Sequence, residues 1–214
     1  MITNMKSVFI IATILYFTTG NCKRPSIITL TNTTPNQIIA IQPLDNYNEK
    51  ELISIQDEIR RFYNKKVIFL EPIDIPTTFY NPIVKKYSAD SIINLLSKLH
   101  NDTIVEIVGI THQAIYTVKE NKRGRYYDES MFGMGYLPGN SCVISDNRFW
   151  INDAEIFNYR LRNVILHEIG HNAGLPHCPD KKCLMSDMNG DVSTLDYGVY
   201  DYCEKCKRKL KRNN

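Results

Sequence analysis

The chain has 214 residues, 43% of them hydrophobic, which is enough to bury one core and too few for two ordinary domains. Its net charge is +3, yet Lys205, Lys207, Arg208, Lys209, Lys211 and Arg212 cluster at the extreme C-terminus, so the remainder is mildly acidic. The basic tail lacks interleaved aromatics and reads as a solvated last helical turn at the negative end of its dipole, so no nucleic-acid partner is expected.

In chain order, MITNMKSVFIIATILYFTTGNC supplies Lys6, an apolar run from Val8 to Phe17, and the small residues Thr18, Thr19 and Gly20. That order is an export signal over residues 1–21. The run is about half the roughly 20 residues a spanning helix needs, which disfavours a permanent anchor. Cys22 resembles the lipid-modified cysteine of a bacterial lipoprotein, although Asn21 is a poor match to the small residue usual before it. The expectation is an exported protein, periplasmic, extracellular or membrane-attached through a lipidated Cys22.

A polar linker over residues 22–36 leads into a domain spanning 37–214. QIIAIQPL reads as a buried strand, because its β-branched run is bounded by prolines. In KELISIQDEIRRFY, Leu52, Ile55, Ile59 and Phe62 recur at steps of three and four, which predicts an amphipathic helix. VIFL from Val67 is a second strand. Ser88 caps a helix carrying Ile92, Ile93, Leu95, Leu96 and Leu99, and TIVEIVGIT from Thr103 is a central strand. AIYTV and SCVISD supply two further strands. Between them the Gly-rich segment KENKRGRYYDESMFGMGYLPGN is too polar to be core, and Cys142 is a small buried hydrophobe.

The last clear helix starts at NDAE, where Asn152 caps and Glu155 reaches back to complete a capping box. Phe157, Leu161, Ile165 and Ile169 form its core face, and at 100° per residue His167 and His171 share one flank.

HEIGHNAGLPHCPDKKCLM, from His167 to Met185, carries the chemistry. Histidines at i and i+4 on a helix converge on a single zinc, and the intervening Glu168 stands beside the open coordination position. Gly174 permits the left-handed turn that bends the chain and brings in His177 as a third ligand, the spacing of HExxHxxGxxH. Met185 takes the place of a turn methionine beneath the ligand histidines. Cys178 and Cys183 pair with the CxxC of Cys203 and Cys206 in the pattern of a structural four-cysteine zinc site. Two disulfides are the competing reading, which export favours.

The pattern HExxHxxGx3Cx4CxMx17CxxC fits His167 through Cys206 without a gap and resembles the signature of the archaemetzincins, a branch of the metzincin zinc peptidases. Fainter similarity in KKYSADSIINLL, IVGITHQAIY and GYLPGNSCVIS extends it over roughly residues 37 to 206. Where the family usually has an acidic residue in a TxxDLY-like turn, this chain has Gln113 and Ala114.

The resemblance implies an α+β, metzincin-like fold. Its upper lobe holds a mixed twisted sheet backed by helices, and a small lower lobe follows Gly174, with zinc in the cleft between them. A strand edging the cleft would pair with an extended peptide, and FGMGYLPG, residues 132 to 139, is the candidate rim. The expected activity is hydrolysis of peptide bonds by a monomer with two zincs per chain, one catalytic on His167, His171 and His177 and one structural on the four late cysteines. Glu168 serves as general base to the attacking water. Tyr197 and Tyr200 more simply line the lower lobe than support an oxyanion. The alternative is a catalytically silent, zinc-stabilised binding protein, against which the presence of Glu168 argues.

Overall fold

Six consecutive buried residues, Ile38–Pro43, form the first strand, β1, of the main sheet. A strand buried on both faces needs a layer above and a layer below it, and the rest of the chain supplies both. The computed structural model describes residues 37–47, 49–196 and 201–212. The export-signal segment, Cys22, the linker, Tyr197 and Tyr200 lie outside the described residues.

After β1 come α1 (Glu49–Tyr63) and β2 (Lys66–Phe69), then the short β3 (Tyr80–Asn81) and β4 (Lys86–Ser88). Helix α2 (Ala89–Leu96) precedes β5 (Ile104–Thr111), β6 (Ile115–Glu120), β7 (Tyr126–Ser130), β8 (Gly133–Gly135) and β9 (Ser141–Ser145). The long helix α3 (Ala154–Asn172) and the shorter α4 (Ser193–Asp196) and α5 (Glu204–Arg212) complete the order.

The main sheet runs β2-β1-β5-β9-β8, with β2, β1, β5 and β9 parallel and β8 antiparallel at one edge. Period-2 alternation assigns its two faces. Ile39, Ile41, Val108, Ile110, Cys142 and Ile144 pack with α1 and α3, and Ala40, Ile107 and Val143 pack with α2. Ile55, Ile59 and Phe62 are the buried face of α1, as their spacing predicts, and Ser88 caps α2 by accepting from the Ser91 N–H at 3.2 Å. The result is a mixed sheet between helical layers, with a small lower lobe after α3.

Three features depart from the sequence reading. First, β6 does not join the main sheet. It lies in a separate sheet ordered β3-β4-β6-β7, and its partner β7 falls within the segment read as too polar for core. A hairpin solvated on much of its surface tolerates such polarity, and Tyr126 and Tyr127 are exposed on it. Second, the same segment contributes β8, with Phe132 and Gly133 buried. Its glycines admit α3 closely: a Cβ on Gly133 would lie 2.8 Å from Glu168 Cγ, and one on Gly135 would lie 2.8 Å from the Glu168 carbonyl oxygen. Third, Asp153 rather than Asn152 caps α3, accepting from the N–H groups of Glu155 and Ile156 at 3.0 and 3.1 Å. With a cap one residue later, Glu155 is at the second helical position and too early for a capping box.

Helix α3 is also buried on nearly every side from Leu161 to Gly170, because sheet, α1 and lower lobe enclose it. Its buried Arg162 pairs with Glu58 at 3.1 Å and donates to Asn163 Oδ1 at 2.9 Å.

Candidate metal centre and catalytic cleft

His167 and His171 stand one turn apart on α3. The helix then ends in a Schellman turn: the Gly174 N–H donates to the His171 carbonyl at 2.8 Å and the Leu175 N–H to the Gly170 carbonyl at 2.9 Å. Gly174 sits at φ +88°, where a side chain would be strained. This turn reverses the chain and carries His177 back to the helix. Ligand-capable atoms of His167, His171 and His177 all lie within 4.8 Å of one another.

The second nitrogen of two of the rings is hydrogen-bonded. His167 Nδ1 donates to the Leu184 carbonyl at 2.8 Å and His171 Nδ1 to the Leu175 carbonyl at 2.7 Å, which leaves both Nε2 lone pairs directed elsewhere. His177 Nδ1 lies 3.6 Å from the Asp187 carboxylate. Burial, reinforced by the neighbouring His171, lowers the His167 pKa to about 3. Burial also lowers that of His171. Both rings are therefore neutral at physiological pH, the form that ligates a metal.

Glu168, between the histidines, is buried beside β8. Burial raises its pKa to about 8, opposed by a hydrogen bond from the Gly135 N–H. The main cleft, about 630 Å³, is lined by the three histidines and Glu168, by residues 130–135 along the β8 edge, and by residues 187–190 of the lower lobe. Of the candidate rim 132–139, residues 132–135 line the cleft, whereas Gly139 turns back to donate to the Asn172 carbonyl at 3.1 Å.

Met185 is wholly buried, with its sulfur against Gly170, inside the HExxH turn. Any side chain at Gly170 would collide with that sulfur and would also lie 2.8 Å from the Tyr202 hydroxyl. The Met185 carbonyl accepts from the Cys178 N–H at 2.7 Å, so the methionine turn and the residue after His177 are fixed together.

Cys178, Cys183, Cys203 and Cys206 form the second donor cluster, mostly buried. Cys178 Sγ is 3.7 Å from Cys203 Sγ, and Cys183 Sγ is 3.7 Å from Cys206 Sγ. Zn–S bonds of about 2.3 Å in a tetrahedron place sulfurs roughly 3.8 Å apart, whereas disulfide sulfurs are about 2.05 Å apart. The four sulfurs thus fit a zinc and are not bonded to one another. Burial pushes the Cys183 thiol up to about 11 and raises that of Cys206 as well, a penalty that a shared cation would relieve.

The model of peptidase family M54 matches residues 27–212. The chain belongs to peptidase family M54. A relative, the archaemetzincin of Methanocaldococcus jannaschii, is 31% identical over 186 residues, covering 80% of this chain and 92% of the relative. The crystal structure of the Archaeoglobus fulgidus archaemetzincin complexed with malonate is 27% identical, with a TM-score of 0.69 over 81% of this chain and 99% of its own. That of Methanopyrus kandleri archaemetzincin, at 22% identity, shares the fold with a TM-score of 0.69 over 86% of this chain and 98% of its own. M54 membership, together with the two donor clusters, supports a zinc metallopeptidase.

Several contributors to the M54 site are not signalled in the sequence. The Leu184 and Leu175 carbonyls and the Gly135 N–H are backbone groups, which carry no residue signature. Tyr63 and Tyr202, from α1 and the lower lobe, both place their hydroxyl oxygens near the Leu166 carbonyl just before His167, at 3.2 and 3.0 Å. Glu106, on β5, accepts from Asn172 Nδ2 at 2.6 Å, beside the end of α3. Only Asp187, two residues past Met185, was findable from proximity to the motif.

Proposed function

We propose that the chain hydrolyses peptide bonds with a catalytic zinc on His167, His171 and His177, while a second, structural zinc on Cys178, Cys183, Cys203 and Cys206 stiffens the lower lobe. When bound, the catalytic zinc supplies Lewis-acid polarisation of the scissile carbonyl and acidifies a water molecule. Glu168 takes the proton from that water and delivers it to the leaving amine nitrogen. Burial raises the pKa of this carboxyl, and the positive charge of a bound zinc would favour its ionised form, the one that accepts the water's proton. The observation carrying the proposal is the placement of that buried carboxyl, held by the Gly135 N–H, in the same cleft as three converging histidines.

The substrate backbone adds to the free edge of β8. Among the described residues that strand is paired on one side only, with β9, and its other side faces the cleft. Leu184 and Leu175 hold the His167 and His171 rings in one tautomer, so the ligands need no reorganisation on metal binding. The working species is a monomer. Export and lipid attachment at Cys22 rest on the N-terminal sequence pattern alone, and intact mass and membrane fractionation of the expressed protein test them.

Peptide cleavage with Glu168→Ala tests the mechanism. Loss of about 10²–10⁴-fold in kcat with zinc content retained is expected, the typical range for a general acid/base. Turnover equal to wild type would remove Glu168 from the chemistry.

A further inference from the structure

Arg148 lies in the same cleft as the three histidines and Glu168, and its guanidinium is fixed from three sides. Nη1 donates to the Ser130 carbonyl at 3.1 Å and Nη2 to the Gly190 carbonyl at 2.8 Å, while the group stacks 4.6 Å from the centroid of the Phe132 ring. Ser130 ends β7 and Phe132 directly precedes β8, both in the upper lobe, and Gly190 belongs to the lower lobe past the methionine turn. Arg148 therefore bridges the two walls of the cleft at one end.

Its charge is left over. The two carbonyls accept hydrogen bonds but carry no net charge, and among the described residues no carboxylate lies within ion-pair distance of Arg148. The other cation lining this cleft, Lys119, is already paired with Glu129. A guanidinium has five N–H donors in a rigid fork, of which the carbonyls take two. What remains is a preorganised, uncompensated cation with donors to spare, which matches a carboxylate.

The sheet gives this cation a direction. A peptide added antiparallel to β8 runs opposite to it, so the residues after the scissile bond pass the start of β8, where Phe132 and Arg148 stand. We propose that Arg148 recognises a substrate carboxylate on the C-terminal side of the scissile bond, so that peptides bearing an anion there are preferred. This rests on the peptidase reading above. The carboxylate is either the free C-terminus of a short leaving segment or an acidic side chain within it, and the same chemistry serves both.

The test uses the zinc-loaded full chain and matched peptides: one with a free C-terminus, its C-terminal amide, and a pair exchanging Asp for Asn after the scissile bond. Wild type, Arg148→Gln and Arg148→Lys are compared in kcat and KM, with cleavage sites read by mass spectrometry. Wild type is expected to favour at least one carboxylate-bearing member, and which pair shows it identifies the source. In Arg148→Gln that preference falls about tenfold or more, the weight of a hydrogen bond to a charged group, mainly through KM. Arg148→Lys, which keeps the charge and loses the fork, restores part of it.

Equal losses on charged and neutral peptides would make Arg148 only a strap between lobes and overturn the proposal. So would an unchanged preference, or an anion mapped to the N-terminal side. Failure of wild type to cleave any peptide sinks the peptidase reading and this one with it, whereas cleavage without an Arg148-dependent ratio sinks this one alone.

Discussion

At the scale of the residue, the least expected group is Glu106. It is buried on the central strand β5, accepts from Asn172 at 2.6 Å, and carries a pKa raised to about 8 by burial, against the opposing hydrogen bonds from Asn172 and Cys142. Between pH ~4.5 and ~8 it is protonated in the fold and ionised in the unfolded chain, so the unfolded state binds fewer protons and stability falls as pH rises. Its contribution is fully present below about pH 4.5 and is lost on passing about pH 8. Glu106→Gln, which is always neutral, should therefore gain on wild type by about 1.4 kcal/mol per pH unit across this window. Urea unfolding at pH 5, 6, 7 and 8 measures the difference, and a difference independent of pH would show that Glu106 is ionised in the fold. Asp187 lies 3.6 Å from His177 Nδ1, placed to orient that ring in the proposed zinc site. Asp187→Ala should weaken the catalytic zinc about 10–100-fold while the cysteine site keeps its metal, a split that competition with a chelator resolves.

At the scale of the element, α3 and its C-terminal turn carry the site, and Gly170 is where they are least forgiving. Gly170→Ala places a methyl group against Met185 Sδ and the Tyr202 hydroxyl inside a packed core. A cost of about 1–3 kcal/mol is expected, read as a lower denaturation midpoint, and unchanged stability would mean that the methionine turn yields freely. The same element was the most legible part of the sequence. His167, Glu168, His171, Gly174 and His177 fall within eleven residues, where helical period and one turn fix their relation without help from the rest of the chain. Strand β8 was not legible as a strand. Its three residues, Gly133–Gly135, include two glycines, and their purpose emerges only from the closeness of α3, more than thirty residues later. The polar hairpin β6–β7 misled for a related reason: an exposed ribbon carries no apolar alternation to detect. The separation of the strands into two sheets is likewise a property of long-range pairing and not of any local run.

At the scale of the whole molecule, two lobes meet across the cleft, and the contacts joining them sit around the ligands. Tyr63 from α1 donates to the hydroxyl of Tyr202 from the lower lobe at 2.8 Å, and Tyr202 donates to the Leu166 carbonyl beside His167 at 3.0 Å. Cys203 follows Tyr202 directly, so the cysteine cluster anchors this contact as well as the residue after His177. Such couplings join residues far apart in sequence, which is why the sequence displayed the cysteine spacing but not what it supports. Cys206→Ser should accordingly lower the thermal midpoint and also the affinity of the three-histidine site, although no cysteine belongs to it. Retention of full catalytic zinc affinity in a folded Cys206→Ser protein would separate the two centres.

The most direct test of the central claim joins metal content to turnover: zinc per chain by elemental analysis and cleavage of a diverse peptide mixture, measured on the same samples of wild type and Glu168→Ala. The expected result is two zincs per chain in both proteins and cleavage in wild type alone. Glu168→Ala cleaving as fast as wild type, or wild type inert with both zincs bound, would contradict it.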